Sequence, residues 1–345
     1  MPTPVYVLTG FLGSGKTTLL KKLLEHDGMS DTLVLMNELG AIALDHLVVR
    51  EITEEVVLLR SGCLCCSVRD DLTETLIDLY HRRAAGDVPE FRRVVVETTG
   101  LADPTPIILT LMSDDWIAQR YRLASLITTV DGSHGTMQLD RHHEALKQAA
   151  LAESLVVTKV DLVSPDQLDA LSVRLRAINP GAAIEHAALG NCPNLDVLFG
   201  RSHFKIDPTS FADKPWFGRS TPGADDTPSS DGSYLAHHHD ARIKTFCLVA
   251  DGPLDWASFV DWLNLLLINR GDNILRVKGL VGLPDRPGPV LIQGVQHVFY
   301  PPAHLDAWPS DDRRSRLVFI TDGLAGSALA SSLGQFQQDA LVTLL

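Results

Sequence analysis

The sequence predicts an α/β protein in which a mostly parallel sheet is covered by helices on both faces, followed by a smaller α+β unit. Three observations predict it. The first half of the chain alternates short, continuously apolar runs with longer amphipathic ones, the pattern of strands buried on both faces. A glycine-rich stretch joins the first apolar run to the first amphipathic one. Composition then changes between Pro208 and Asp240, where Pro, Gly, Ser and Asp accumulate, and alternation of a different kind resumes.

In chain order, Val5 to Leu8 is predicted as a strand and Lys16 to His26 as a helix. Leu33 to Met36 and Val56 to Leu59 are strands, and about Val68 to Arg82 is a helix. Val94 to Val96, Leu123 to Val130 and Leu155 to Val157 are further strands. After the linker, Ile243 to Val249 predicts a strand and Pro253 to Ile268 an amphipathic helix carrying Trp256, Phe259, Trp262 and Leu266. Strands follow at Ile274 to Leu280, Val290 to Val295 and Leu317 to Ile320. The implied organisation is a first domain over residues 1–207, a flexible linker over 208–240 and a second domain over 241–345.

The 345 residues are too many for one ordinary core. With 45 % hydrophobic and 21 % charged residues, the composition is that of a soluble globular protein. A formal net charge of −13 repels phosphate backbones, so nucleic acid is not an expected partner. No apolar stretch approaches the ~20 residues that span a bilayer, and the first residues carry no basic leader pattern. Of five cysteines, Cys63, Cys65 and Cys66 crowd together. That arrangement indicates reduced thiols in the cytoplasm and not a disulfide framework.

Gly10-Phe-Leu-Gly-Ser-Gly-Lys-Thr17 matches the phosphate-loop pattern G-x-x-x-x-G-K-[ST], between a predicted strand and a predicted helix as the mechanism requires. Gly10, Gly13 and Gly15 let backbone N–H groups converge on phosphate oxygens, together with the amides of Ser14 and Thr18. The helix N-terminus adds partial positive charge. Lys16 is expected on the β and γ phosphates, and Thr17 on Mg²⁺. Val94-Val-Val-Glu97-Thr-Thr-Gly100 delivers Glu97 to a strand end, where it would orient a Mg²⁺-bound water. Gly100 would offer its N–H to the γ phosphate. A solvated Glu at a strand end is the bland alternative.

Thr158-Lys159-Val160-Asp161 follows another apolar strand and approximates the N-K-x-D guanine motif, with Thr158 in place of Asn. Asp161 would accept from guanine N1 and N2, a donor pair that adenine lacks. The Lys159 stem would cover the base. GTP is therefore favoured over ATP.

Gly62-Cys-Leu-Cys-Cys66 places three thiols in four residues ahead of a predicted helix. Thiolates are ligands of choice for Zn²⁺, and a helix N-terminus favours the thiolate. Glu38, just past a strand, is a candidate fourth ligand. Redox chemistry and structural packing are the competing readings; the thioredoxin context is absent, although Cys63 and Cys66 have the bare C-x-x-C spacing. His237 to His239 with Asp240 form either a second metal-collecting tract or a solvated linker segment. Cys192, Cys247, His142 and His143 stand apart.

Taken in order, Leu8-Thr-Gly-Phe-Leu-Gly-Ser-Gly-Lys-Thr-Thr18, Asn37-Glu-Leu-Gly40, Ser61-Gly-Cys-Leu-Cys-Cys66, Glu97-Thr-Thr-Gly-Leu-Ala-Asp-Pro104 and Thr158-Lys-Val-Asp161 resemble the CobW-type GTPases, zinc-related metallochaperones. Ile274-Leu-Arg-Val-Lys-Gly279 and Gln293-Gly-Val-Gln296 resemble that family's C-terminal domain. The resemblance implies GTP hydrolysis coupled to delivery of a divalent metal, usually zinc, to a client apo-metalloprotein. It implies Mg²⁺ at Thr17, phosphate contacts from Gly13 to Thr18, and metal ligands among Cys63, Cys65 and Cys66. Two positions depart from the family pattern: Ala41 replaces a second Glu, and Thr158 replaces Asn. The competing classes are a P-loop ATPase or kinase with structural zinc, and a metal buffer with a regulatory nucleotide site.

Overall fold

The structure, a computed structural model, describes residues 2–37, 56–59, 67–188, 191, 193–200, 242–337 and 340–344. The chain forms two compact units, one of Met1–Arg176 with Ala182–Lys205, the other of Ala177–Gly181 with Ile206–Leu345.

The first unit is built on a sheet of β1 (Thr3–Gly10), β2 (Thr32–Asn37), β3 (Val56–Leu59), β4 (Arg93–Glu97), β5 (Tyr121–Asp131), β6 (Ser154–Thr158) and β7 (Ala183–His186). The order is β3-β2-β4-β1-β5-β6-β7, and every described pairing is parallel. Parallel neighbours require crossovers, which the helices supply. These are α1 (Lys16–Leu24), α2 (Ser67–Ala85), α3 (Thr105–Ser113), α4 (Asp115–Arg120), α5 (Gly135–Arg141), α6 (His143–Leu151) and α7 (Pro165–Ile178).

Central strands are apolar on both faces because both faces are covered: in the adjacent pairs Val7 and Leu8, Val95 and Val96, and Val156 and Val157, one residue points to each face and all are buried. Most observed strands run one or two residues beyond the apolar runs at an end, whereas β3 coincides with its run. Polar ends such as Thr9, Glu97, Asp131 and Thr158 are paired and buried too. β7 is a half-exposed edge strand of Ala, Ile, Glu and His, which carries no apolar run. α1 stops at Leu24, before the predicted His26, because the His26 ring accepts the Gly28 N–H and caps a short 3₁₀ turn instead.

The described residues of the second unit form an antiparallel sheet with two α-helices. Its strands are β8 (Ile243–Asp251), β9 (Ile274–Val281), β10 (Val290–Val295), β11 (Val298–Phe299), β12 (Ala303–His304), β13 (Ser315–Asp322) and β14 (Leu341–Leu344). The order is β11-β10-β9-β13-β8-β14, with β12 beside β10. α8 (Trp256–Arg270) begins three residues after the predicted Pro253, because Asp255 accepts the Ser258 N–H and acts as N-cap. α8 and α9 (Gly326–Phe336) bury Phe259, Trp262, Leu329 and Leu333 against Val277, Leu317 and Phe319 of the sheet. Trp262 is fully buried, and its indole N–H donates to Ser332 Oγ at 2.9 Å.

Trp262→Ala should therefore destabilise the second unit by about 3–5 kcal/mol. Its unfolding transition in denaturant would move while that of the first unit stayed. An unshifted transition would contradict this core assignment.

Candidate nucleotide site at the carboxyl end of the parallel sheet

In a parallel α/β sheet, ligands bind beyond the carboxyl ends of the strands. β1 lies between β4 and β5, with Leu8 in register with Glu97 and Gly10 with Thr129. The phosphate loop therefore springs from the centre of that edge. Gly10 takes φ 144°, and a Cβ there would lie 2.2 Å from Thr129 Oγ1 and 2.5 Å from its carbonyl oxygen. Only glycine fits. Gly13 and Gly15 also have positive φ, and Gly15 opens α1. The buried Ser14 braces the loop from behind: its hydroxyl meets Thr129 Oγ1 at 2.6 Å, and its carbonyl accepts Thr158 Oγ1–H at 2.8 Å.

Lys16 is only 9 % exposed. Its ammonium lies across the loop and donates to the carbonyls of Gly10 (2.9 Å) and Phe11 (3.2 Å). Burial pulls its pKa below the ordinary lysine value, and the nearby Glu97 carboxylate opposes that shift. Thr17 Oγ1 donates to Glu97 Oε1 at 2.5 Å, so the hydroxyl and carboxylate drawn from two separate motifs meet at one point. Two hard oxygen donors of this kind suit Mg²⁺.

After β4, Gly100 presses against the loop: a Cβ would come within 2.8 Å of Leu12 N and Cα. The contact brings the Gly100 backbone against the phosphate loop. This segment is held from α6. Gln148 Nε2 donates to the carbonyls of Gly100 (3.3 Å) and Ala102 (3.0 Å), and Lys147 pairs with Asp103 at 2.7 Å.

On the other flank, Thr158, Lys159 and Asp161 edge a cavity of about 300 Å³ that Gly15, Thr18 and Leu19 also line. The segment Ala187, Ala188 and Asn191 closes it. Lys159 adopts the left-handed conformation and donates to Gly13 O (2.8 Å) and Asp131 Oδ2 (2.7 Å), so its stem runs from this cavity to the phosphate loop. Asp161 lies exposed at the rim. The buried Asp131 also accepts the amides of Ser133 and His134. Burial pushes its carboxyl pKa up, but the Lys159 hydrogen bond, the two amides and the Lys159 charge bring it below the ordinary value.

Every candidate from the phosphate loop, Glu97 to Gly100 and Thr158 to Asp161 thus sits at one sheet edge. Glu38, Cys63, Cys65, Cys66, Cys192 and His237 to Asp240 lie outside the described residues. Among the described residues, no group of three or more His, Cys, Asp or Glu is placed to hold a metal ion. The described residues that flank the cysteines sit at the edge of the sheet. Leu59 ends β3 in register with Asn37 of β2, and α2 begins at Ser67, directly after Cys66. From β3 to β1 is three strand steps, about 14 Å.

Sequence reading missed Asp131, Lys147, Gln148 and the wall of Ala187, Ala188 and Asn191. Asp131 was legible in principle as an acidic residue ending an apolar strand. The others were not, because nothing local distinguishes a Gln or Lys on an amphipathic helix.

Asp131→Asn should cost about 1.5–3 kcal/mol of stability at neutral pH, the range for hydrogen bonds to a charged group. A depressed carboxylate contributes stability that is complete above its ordinary pKa of 3.8 and is lost as pH falls through the lower folded value. The difference between variant and wild type should therefore close on acidification below that range. Denaturant unfolding across pH would show it, and a constant gap would contradict it.

The comparisons agree with this geometry. The model of the CobW/HypB/UreG nucleotide-binding domain matches residues 4–185, and that of the cobalamin synthesis protein cobW C-terminal domain matches residues 243–337. The zinc chaperone YjiA of Escherichia coli (strain K12) is 31 % identical over 320 residues, 92 % of this chain and 94 % of that protein. The zinc chaperone CobW of Pseudomonas aeruginosa is 30 % identical over 370 residues, 96 % of this chain and 90 % of that protein. The crystal structure of Zn(II)-bound YjiA GTPase from E. coli aligns at TM-score 0.70 and 26 % identity, covering 98 % of this chain and 99 % of that one. A P-loop edge assembled from three motifs, a second domain of its own model, and similarity along nearly the whole length together place the chain in the CobW/HypB/UreG family.

Proposed function

We propose that this protein is a GTP-hydrolysing metallochaperone that binds a divalent ion, zinc, through Cys63, Cys65 and Cys66 and passes it to a client apo-metalloprotein. One observation carries the nucleotide half of this reading: the buried Lys16 ammonium and the Thr17–Glu97 pair lie at the tip of the same strand pair. The metal half rests on the cysteine motif and on relatives that are named zinc chaperones. The proposed division is a nucleotide domain over 1–207, a linker over 208–240 and a second domain over 241–345. The proposed location is the cytoplasm; no described helix is long and apolar enough to cross a membrane.

Gly13 to Thr18 cradle the phosphates with their amides, and Lys16 donates to β and γ oxygens. Thr17 and Glu97 would hold Mg²⁺, which when bound would supply charge neutralisation at the phosphate oxygens. The Gly100 amide meets the γ phosphate, and Gln148 keeps the Gly100 carbonyl turned away from it. Asp161 accepts the guanine N1 and N2 protons, with the Lys159 stem over the base. In-line attack of water on the γ phosphorus then breaks its bond to the bridging oxygen, yielding GDP and phosphate. Among the described residues no glutamine is evident to orient that water and no arginine finger is assignable, so intrinsic turnover is slow until a partner or metal accelerates it.

Coupling between the two cargoes follows from the sheet. The connections after β2 and β3, which carry Glu38 and the cysteines, leave the edge where the γ phosphate binds. A nucleotide-dependent shift there changes zinc affinity, and linkage then demands that zinc change GTP affinity by the same factor.

Lys16→Ala should lower hydrolysis by about 10²–10³-fold in kcat, and wild type should prefer GTP over ATP. An unchanged rate in the variant, or equal use of both nucleotides, would contradict the reading. In zinc titrations with GDP and with a non-hydrolysable GTP analogue, affinity should differ between the nucleotide states and collapse in Cys65→Ser. Equal GTP affinity with and without zinc would end the coupling.

A further inference from the structure

The opposite end of the parallel sheet holds a second cavity, of about 580 Å³. Pro4, at the amino end of β1, is on its wall. Gly10 lies six extended residues away, about 20 Å. This cavity is therefore separate from the nucleotide site. Its wall includes Tyr6, His26, Arg92, Arg93, Asn194 and Phe199. The wall is tied to the sheet: the Tyr6 hydroxyl donates to Phe199 O at 2.7 Å, and the two rings meet edge-on with centroids 4.8 Å apart.

The cavity is rich in donors whose described partners are weak or few. The Arg93 guanidinium has five N–H donors. Among the described residues it makes one hydrogen bond, to the thioether sulfur of Met29 at 3.3 Å, and lies 5.8 Å from the centroid of the Phe199 ring. His26 accepts the Gly28 amide on Nδ1, so its neutral ring carries the proton on Nε2. Asn194 accepts the Asp196 amide on Oδ1, which leaves its amide nitrogen as a donor. Arg92, 84 % exposed, pairs with Asp31 at 3.2 Å. The charge of Arg122 also reaches Tyr6. Among the described residues the acidic groups here are the exposed Asp27, between His26 and Gly28, Asp31, held by Arg92, and the exposed Asp196. On a chain with net charge −13, a donor-rich pocket with two guanidiniums is a local exception.

We propose that this cavity binds a small anion bearing carboxylate or phosphate groups, held by Arg93 with Arg92, His26 and Asn194 around it. A planar guanidinium matches either oxyanion in a two-pronged hydrogen bond, and the volume admits a metabolite-sized molecule. The site is independent of the nucleotide reading, because its anchoring residue lies at the other end of the strands from Lys16.

The test is calorimetric titration of the full chain, saturated with a non-hydrolysable GTP analogue so that the phosphate loop is filled. Succinate and inorganic phosphate serve as probes at constant ionic strength. At least one should bind with one-to-one stoichiometry, and which one does so identifies the carboxylate or phosphate class. Arg93→Gln should weaken that probe at least tenfold, and Arg92→Gln several-fold, with nucleotide affinity unchanged in both. If Arg93→Gln loses nucleotide binding through misfolding, the exposed Arg92→Gln decides alone. Failure of both probes to bind, or unaltered affinity in the folded variants, overturns the proposal.

Discussion

β1 is hydrogen-bonded in register to β4 on one side and β5 on the other, and this pairing controls what the sheet edge can do. Leu8 opposite Glu97 and Gly10 opposite Thr129 bring three motifs, far apart in sequence, to one place. Shifting either strand by one residue would part Thr17 from Glu97 and drive Thr129 away from the turn at Gly10. The packing is tight enough that a methyl group at Gly10 or Gly100 would overlap both side-chain and backbone atoms across the gap. The site is therefore a property of strand register before it is a property of any functional group.

Polar residues at this edge act mainly on one another. Ser14 and Thr158 grip the loop from behind, and Lys159 joins Gly13 to Asp131. The threonine at position 158, where an asparagine stands in the motif it approximates, is fully engaged by the Ser14 and Val130 carbonyls. Its hydroxyl has the reach for that bracing role. In the proposed function, base recognition then falls to Asp161 and to the cavity wall of Ala187, Ala188 and Asn191.

Much of this was legible in sequence because the informative residues are contiguous. A glycine pattern between strand and helix, or a Glu after three valines, carries its structural context with it. Apolar runs located every central strand, and they fell short at the ends because Thr3, Thr9 and Asp131 are buried despite their polarity. What escaped was non-local. Gln148 is one polar residue among several on its helix, and only the fold brings it to the Gly100 carbonyl. β7 has too few apolar residues to announce itself. The cysteine trio was the easiest motif to see, and it lies outside the described residues.

The grip of α6 on the segment after β4 has a mechanical meaning. Lys147 on Asp103 and Gln148 on Gly100 and Ala102 fasten both ends of that short stretch to one rigid rod. The stretch is not a free flap. Any displacement of Gly100 either breaks these ties or carries the rod along, and a rod of nine residues extends a small movement over about 13 Å. The far end of that lever is where a change at the triphosphate would be felt.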